Sequence, residues 1–210
     1  MMESKFSILL LVGVALATLT GCFDEPTPAY QTVPAEARVY LQEKGLKTLE
    51  DEPFASACRR DGDGTVKIDY VNLDRNELTS VEGIERLTGL KWLRLNENRL
   101  TALPDLSALV SLRRIYLRDN QLKSVPETLK DLPALTDIEL SENPIAEIPV
   151  WLAEKKGLKN LSFNRTRLTK LPENLSAWTS LQSLQLGELS LPPAEMARIR
   201  AALPQVAIVF

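Results

Sequence analysis

The chain has no histidine among its 210 residues. That removes the side chain most often used as a general base and as a metal ligand near neutral pH. Cysteine is almost as scarce, with Cys22 and Cys58 the two copies. Excess charge of either sign is lacking too: 25 Lys and Arg stand against 28 Asp and Glu, for a net charge of −3. Nothing there provides the basic footprint that nucleic-acid binding requires. No serine, cysteine, lysine or carboxylate pair stands in a catalytic arrangement, so the expectation is a chain that is not an enzyme and needs no cofactor or metal. What remains is ordinary for a globular protein, 44 % apolar and 25 % charged, in a length that suits one domain with short attachments.

The N-terminus is the first informative segment. Lys5 precedes an apolar run from Phe6 to Leu19, interrupted only by small residues such as Ser7, Gly13 and Thr18. The run is too short to span a bilayer, which takes about 20 residues with flanking anchors, and has the length of a signal-peptide core. It ends in Leu19-Thr20-Gly21-Cys22, which resembles the lipobox of bacterial lipoproteins. The resemblance implies cleavage before Cys22 and acylation of that cysteine. Several acyl chains, at ~0.8 kcal/mol per buried CH₂, exceed what stable anchoring needs. Phe23 rather than aspartate follows the cysteine, which by resemblance to Gram-negative lipoproteins points to the outer membrane. With Cys22 consumed by lipid, Cys58 has no intramolecular disulfide partner and the fold must stand on packing. Residues 24–34, DEPTPAYQTVP, read as an extended tether.

The remainder repeats itself. The pattern L-x-x-L-x-L-x-x-N-x-L occurs at Ile68, Val71, Leu73, Asn76, Leu78, and returns at Leu90, Leu93, Leu95, Asn98, Leu100. It recurs from Leu112 with Asn120 and from Leu135 with Asn143. Copies from Leu158 and Leu181 carry Thr166 and Leu189 in the asparagine place, and a truncated copy closes the chain at Leu203, Val206 and Ile208. Successive starts are 22, 22, 23, 23, 23 and 22 residues apart. Apolar residues two apart, such as Leu93 and Leu95, share one face of a short strand. The asparagine falls where the chain leaves the strand, so its amide can satisfy backbone groups orphaned by the bend. Asn76, Asn98, Asn120 and Asn143 are therefore expected to form a structural ladder. A second apolar stretch follows in each copy, as in Val125-Pro126 through Leu132, and suits short helical or 3₁₀ turns entered through proline. One such coil cannot bury its own faces, so stacking supplies the core and the ends need caps.

This pattern resembles the leucine-rich repeat, in the mixed 22- and 23-residue form of bacterial internalin-like and other envelope proteins. The resemblance implies an α/β solenoid: a right-handed coil with a parallel sheet of about seven strands on the concave face and helical or 3₁₀ turns on the convex face. The expected organisation is a signal peptide over 1–21, lipidated cysteine and tether over 22–34, N-terminal cap over 35–65, repeats over 66–192 and C-terminal cap over 193–210. Within the caps, Ala35 to Gly45 reads as an amphipathic helix stopped by glycine and Thr48 to Arg59 as a helical turn or irregular chain. Pro193 to Ala202 reads as a helix and Val206 to Phe210 as a last strand. Cys58 reads as a buried cap residue, with a reactive or intermolecular thiol as the alternative.

In such a coil the non-core strand positions face outward. Three columns follow from the alignment. The first runs Tyr70, Trp92, Arg114, Asp137, Asn160, Ser183. The second runs Asn72, Arg94, Tyr116, Glu139, Ser162, Gln185, and the third Asp74, Asn96, Arg118, Ser141, Asn164, Gly187. They gather Tyr70, Trp92, Arg94, Arg114, Tyr116 and Arg118 into one patch of the residue types most common at interface hot spots. A binding patch is the first reading, and rings packed on each other and on arginine stems the second. Asp137, Glu139 and Glu142 add an acidic stretch beyond it, which would orient a partner. Asp61-Gly62-Asp63-Gly64 lacks the further acids of a calcium loop and reads as a turn. The resulting expectation is a monomeric, lipid-anchored module of the bacterial outer membrane that binds a protein, on the periplasmic face or at the cell surface. An envelope structural role on peptidoglycan or another polysaccharide is the alternative.

Overall fold

The computed structural model describes residues 37–51, 54 and 68–210. Cys22, the signal segment, the tether, Cys58 and the Asp61–Gly64 motif lie outside the described residues. Eight three-residue strands form one sheet in chain order: β1 Arg38–Tyr40, β2 Tyr70–Asn72, β3 Trp92–Arg94, β4 Arg114–Tyr116, β5 Asp137–Glu139, β6 Asn160–Ser162, β7 Ser183–Gln185 and β8 Ala207–Val209. All seven neighbouring pairs are parallel.

The central residue of each strand faces the core. Val71, Leu93, Ile115, Ile138, Leu161 and Leu184 lie in register and are fully buried. The remaining repeat leucines join them in one continuous apolar cluster from Val39 to Leu203. Phe163 takes a leucine place without exposure, and Trp178 closes the convex side with its indole N–H donating to the Leu152 carbonyl at 2.8 Å.

Each asparagine of the repeat performs the same task. Asn98 Nδ2 donates to the carbonyls of Leu73 (3.0 Å) and Leu95 (3.1 Å), while its Oδ1 accepts from the Leu78 amide at 3.1 Å. Asn120 repeats this with Leu95, Leu117 and Leu100, and Asn143 with Leu117, Leu140 and Leu122. Each side chain thus sews its own bend to the previous coil. Thr166 keeps a single bond of this set, from Oγ1 to the Phe163 carbonyl at 2.9 Å.

The N-terminal cap departs from expectation. Of the span read as a helix, the described residues 37–45 instead supply β1, which pairs with β2 and raises the strand count from seven to eight. Val39 and Leu41 occupy the places of Val71 and Leu73, and Leu46 that of Leu78. Asn76 reaches back to this coil, accepting from the Lys44 and Leu46 amides and donating to the Leu41 carbonyl at 2.8 Å. It is a degenerate repeat with lysine in the asparagine place. Apolar spacing of two prevailed over helix periodicity because the neighbouring coil offered a strand to pair with.

The convex side varies from coil to coil. It holds 3₁₀ turns at Ile84–Arg86 and Glu127–Leu129 and a helix, α1, at Val150–Glu154. Pro126 and Pro149 stand immediately before the second and third of these. Helix α2, Pro193–Ala202, covers the C-terminal end where it was expected. Among the described residues no helix is long and apolar enough to cross a membrane.

Candidate functional site on the concave face

The strand registers assemble the columns read from the repeat. Tyr70 faces Trp92 and then Arg114 across neighbouring strands, and Asn72 faces Arg94 and then Tyr116. β1 extends these rows with Arg38 and Tyr40, which the repeat spacing does not place in the columns.

The six patch residues do come together, but as a packed strip rather than a set of idle side chains. The Tyr70 and Trp92 rings meet nearly edge-on at 82°, with centroids 5.9 Å apart, and Tyr40 stands 5.3 Å from Tyr70. The Arg114 guanidinium lies 5.0 Å from the Trp92 ring centre and that of Arg94 5.3 Å from Tyr116. Tyr70, Trp92 and Tyr116 retain 4 %, 9 % and 7 % exposure, so the expected solvent-facing aromatics are largely covered. The arginines are engaged as well: Arg94 with Asp74 at 2.7 Å, Arg118 with Glu142 at 2.7 Å, and Arg114 with Asp137 at 3.8 Å.

The expected acidic stretch is likewise muted. Asp137 is buried among Arg114, Thr136 and Asn160, and Glu142 serves both Arg118 and Arg165. Glu139 is buried, and burial pushes its carboxyl up, an effect that Ser141, Ser162 and the Arg118 charge oppose only in part.

The third column holds a feature the alignment did not show. Its side chains form a second ladder rather than a solvent-facing row. Asp74 Oδ1 accepts the Asn96 amide at 2.8 Å, and Asn96 Oδ1 accepts the Arg118 amide at 2.9 Å. Ser141 Oγ accepts the Asn164 amide at 3.0 Å, and Asn164 Oδ1 accepts that of Gly187 at 2.6 Å. Each short polar side chain satisfies the backbone N–H of the next coil. The relay fails where the column holds a residue that cannot supply a short acceptor. At Arg118 the next amide, Ser141 N–H, turns to Glu139 Oε1 at 2.8 Å. After Gln42 the next amide, Asp74 N–H, turns to Asn72 Oδ1 at 2.9 Å. Glu139 and Asn72 are thus drawn down to repair the backbone.

Along the margin runs a row of residues with left-handed backbone: Glu43, Arg75, Glu97, Asp119, Glu142, Arg165 and Glu188, at φ of 53° to 59°. None is glycine, although this conformation is costly for other residues. The adjoining ladder holds each bend, and the side chains pair across coils. Arg75 joins Glu43 (2.7 Å) and Glu97 (3.3 Å), and Arg165 joins Glu142 (3.1 Å) and Glu188 (2.6 Å). Asp119 breaks the alternation. Burial first, then Glu142 and Glu97 on either side, hold its carboxyl above the usual range.

Between this margin and the strip lies a groove of about 450 Å³, lined in part by Asp74, Arg94, Tyr116, Arg118 and Glu139. Among the described residues no group of three potential metal ligands occurs.

A family model described as leucine rich repeat matches residues 66–122 and, one repeat on, 88–145. No curated protein matches the chain. Among solved structures the chain is similar to a TDR receptor, at 25 % identity and TM-score 0.57, covering 68 % of this chain and 26 % of that one. It is similar to an internalin from Listeria monocytogenes at 21 % identity and TM-score 0.51, covering 69 % of this chain and 50 % of that one. A leucine-rich-repeat protein of Leptospira interrogans aligns at 25 % identity and TM-score 0.39, over 67 % of this chain and 55 % of that one. The chain spans between 26 % and 55 % of the lengths of these three. Residues 66–145 match the leucine-rich-repeat model and the strands form a single open parallel sheet, so the fold is an α/β solenoid, an architecture that in leucine-rich-repeat domains generally serves protein–protein interaction and is typically not enzymatic.

Proposed function

We propose that this protein is a lipid-anchored module of the bacterial envelope that captures a protein partner through the concave face of its N-terminal coils. The observation that carries the reading is the strip itself. Tyr70, Trp92, Arg94, Arg114, Tyr116 and Arg118 occupy adjacent positions on three consecutive coils, beside a groove. Ring–ring and ring–guanidinium packing holds these side chains in place before any partner arrives, which lowers the ordering cost of binding. Acylation of Cys22 would provide the anchor and Phe23 the outer-membrane address. The double variant Trp92→Ala with Tyr116→Ala, in the full-length chain, is expected to lose the partner in a pull-down from envelope extract. Undiminished recovery with unaltered melting would remove the reading. Loss of membrane association and of the acyl mass on Cys22→Ala would test the anchor.

A second reading has its own support. Strands β6 and β7 present uncharged polar side chains, with Asn160, Ser183 and Gln185 side by side and partly exposed. That suits hydroxyl-rich polysaccharide. Sedimentation with purified cell wall, unaffected by the strip variant, would favour it.

A further inference from the structure

Glu139 is the residue whose chemistry the strip does not use. Its Oε1 is fixed by the Ser141 amide at 2.8 Å, because Arg118 cannot serve that amide as Asn96 serves Arg118. Its Oε2 is buried and has no hydrogen-bond partner among the described residues, on a residue only 2 % exposed that lines the groove. The other acids lining the groove have guanidinium partners: Asp74 with Arg94 at 2.7 Å, and Glu43 and Glu97 with Arg75 at 2.7 and 3.3 Å. A carboxylate oxygen left in that condition is costly. Two things relieve it: a proton on the carboxyl, or a cationic donor brought from outside.

We propose that the protein partner places a basic side chain, a lysine ammonium or an arginine guanidinium, on Oε2 of Glu139 in this groove. The inference rests on the concave face being the binding face. The groups around Glu139 favour a visiting cation. On β4 its register neighbour is Tyr116, and Arg118 beyond it is already held by Glu142 at 2.7 Å. On β6 its neighbour is Ser162, with Asn164 beyond, neither of them charged. On its own strand Asp137 is occupied by Arg114, and past the strand Glu142 is shared by Arg118 and Arg165. Among the described residues the groove thus offers one acid that is in no ion pair, with Arg118 acting on it through its charge alone. Because Oε2 is covered in the free protein, lining side chains must part for the donor to enter.

In the pH range where the free protein carries a proton on Glu139, the arriving cation displaces it. Burial, which raises this carboxyl, acts in that direction. Binding therefore releases a proton and strengthens with rising pH, by up to about tenfold per pH unit below the Glu139 midpoint.

The test uses the full-length chain labelled with ¹³C at glutamate carboxyls, titrated by NMR with N-acetyl-arginine amide, N-acetyl-lysine amide and, as uncharged control, N-acetyl-norleucine amide. The expected result is one resonance, absent in Glu139→Gln, whose midpoint lies above the ordinary range and falls by about one unit with the cationic probes only. If Glu139→Gln does not fold, Glu139→Asp assigns the same resonance and the wild-type titration decides. A midpoint unmoved by the cationic probes, or moved equally by the norleucine amide, overturns the proposal. Partner recovery that survives Glu139→Gln but not Trp92→Ala with Tyr116→Ala also overturns it, while leaving concave-face binding intact.

Discussion

Replacing Asn120 by alanine tests whether the asparagine ladder is what joins coil to coil. The side chain is 6 % exposed and makes three well-formed bonds: Nδ2 to the carbonyls of Leu95 (2.9 Å) and Leu117 (3.1 Å), and Oδ1 from the Leu100 amide (3.0 Å). Leu100 is itself fully buried, so water cannot replace the lost acceptor. An orphaned buried amide costs about 1–3 kcal/mol, and the two weakened carbonyls add about 1. The expected loss is roughly 2–4 kcal/mol. Urea unfolding followed by far-UV circular dichroism reads it directly. With a slope near 2 kcal/mol/M, the midpoint should fall by about 1–2 M. Thr166→Ala is the matched control. It sits at the equivalent place, gives up the single Oγ1 bond to the Phe163 carbonyl, and should cost only about 0.5–1.5 kcal/mol. If Asn120→Ala costs no more than Thr166→Ala, the bends are held by something else and the ladder argument is wrong.

Thr166→Asn should raise the urea midpoint, by about 0.5–1.5 kcal/mol in stability, because asparagine there can accept the Ile145 amide as Asn143 accepts that of Leu122. Asp119→Asn should add a few tenths of a kcal/mol, more at low salt, since it removes repulsion from Glu142 and Glu97 and asparagine tolerates the left-handed backbone; equal stability at all salt concentrations would contradict this. Glu139 binds its proton more tightly folded than unfolded, so the folded state holds the excess proton above its ordinary value of 4.5. Stability contributed by this group must therefore fall as pH rises from about that value through the raised folded midpoint, by up to about 1.4 kcal/mol per pH unit. Glu139→Gln should flatten that part of the stability–pH profile, and an unchanged slope would show that another group is responsible.

The repeat made the sheet legible because its apolar residues recur at spacings only this coil can use. Val71 with Leu73 and Leu93 with Leu95 announce strands, and Asn76 through Asn143 announce the bends. β1 escaped notice for a definite reason. Its first core valine, Val39, stands 32 residues before Val71, where the later core positions are 22 to 24 apart, and Lys44 replaces the asparagine. The in-and-out alternation also placed each strip residue in its column. Alternation says which way a side chain starts, but not where its polar end finishes. Arg94, Arg114 and Arg118 are long enough to find Asp74, Asp137 and Glu142, and the rings settle against them and one another. The second ladder was out of reach for a similar reason. Asp74, Asn96 and Ser141 look like ordinary outward polar residues until the next coil brings an unpaired amide within 3.0 Å. The lipid anchor and Cys58 are different in kind, since both lie outside the described residues.

The margin of left-handed residues carries a further implication. Each bend is clamped by the ladder beside it, and the side chain hanging from it reaches only its charged counterparts on neighbouring coils. Aspartate, glutamate and arginine all serve there. The electrical character of this border can therefore drift from one descendant to another, inviting or repelling different visitors, while the spring beneath keeps its shape.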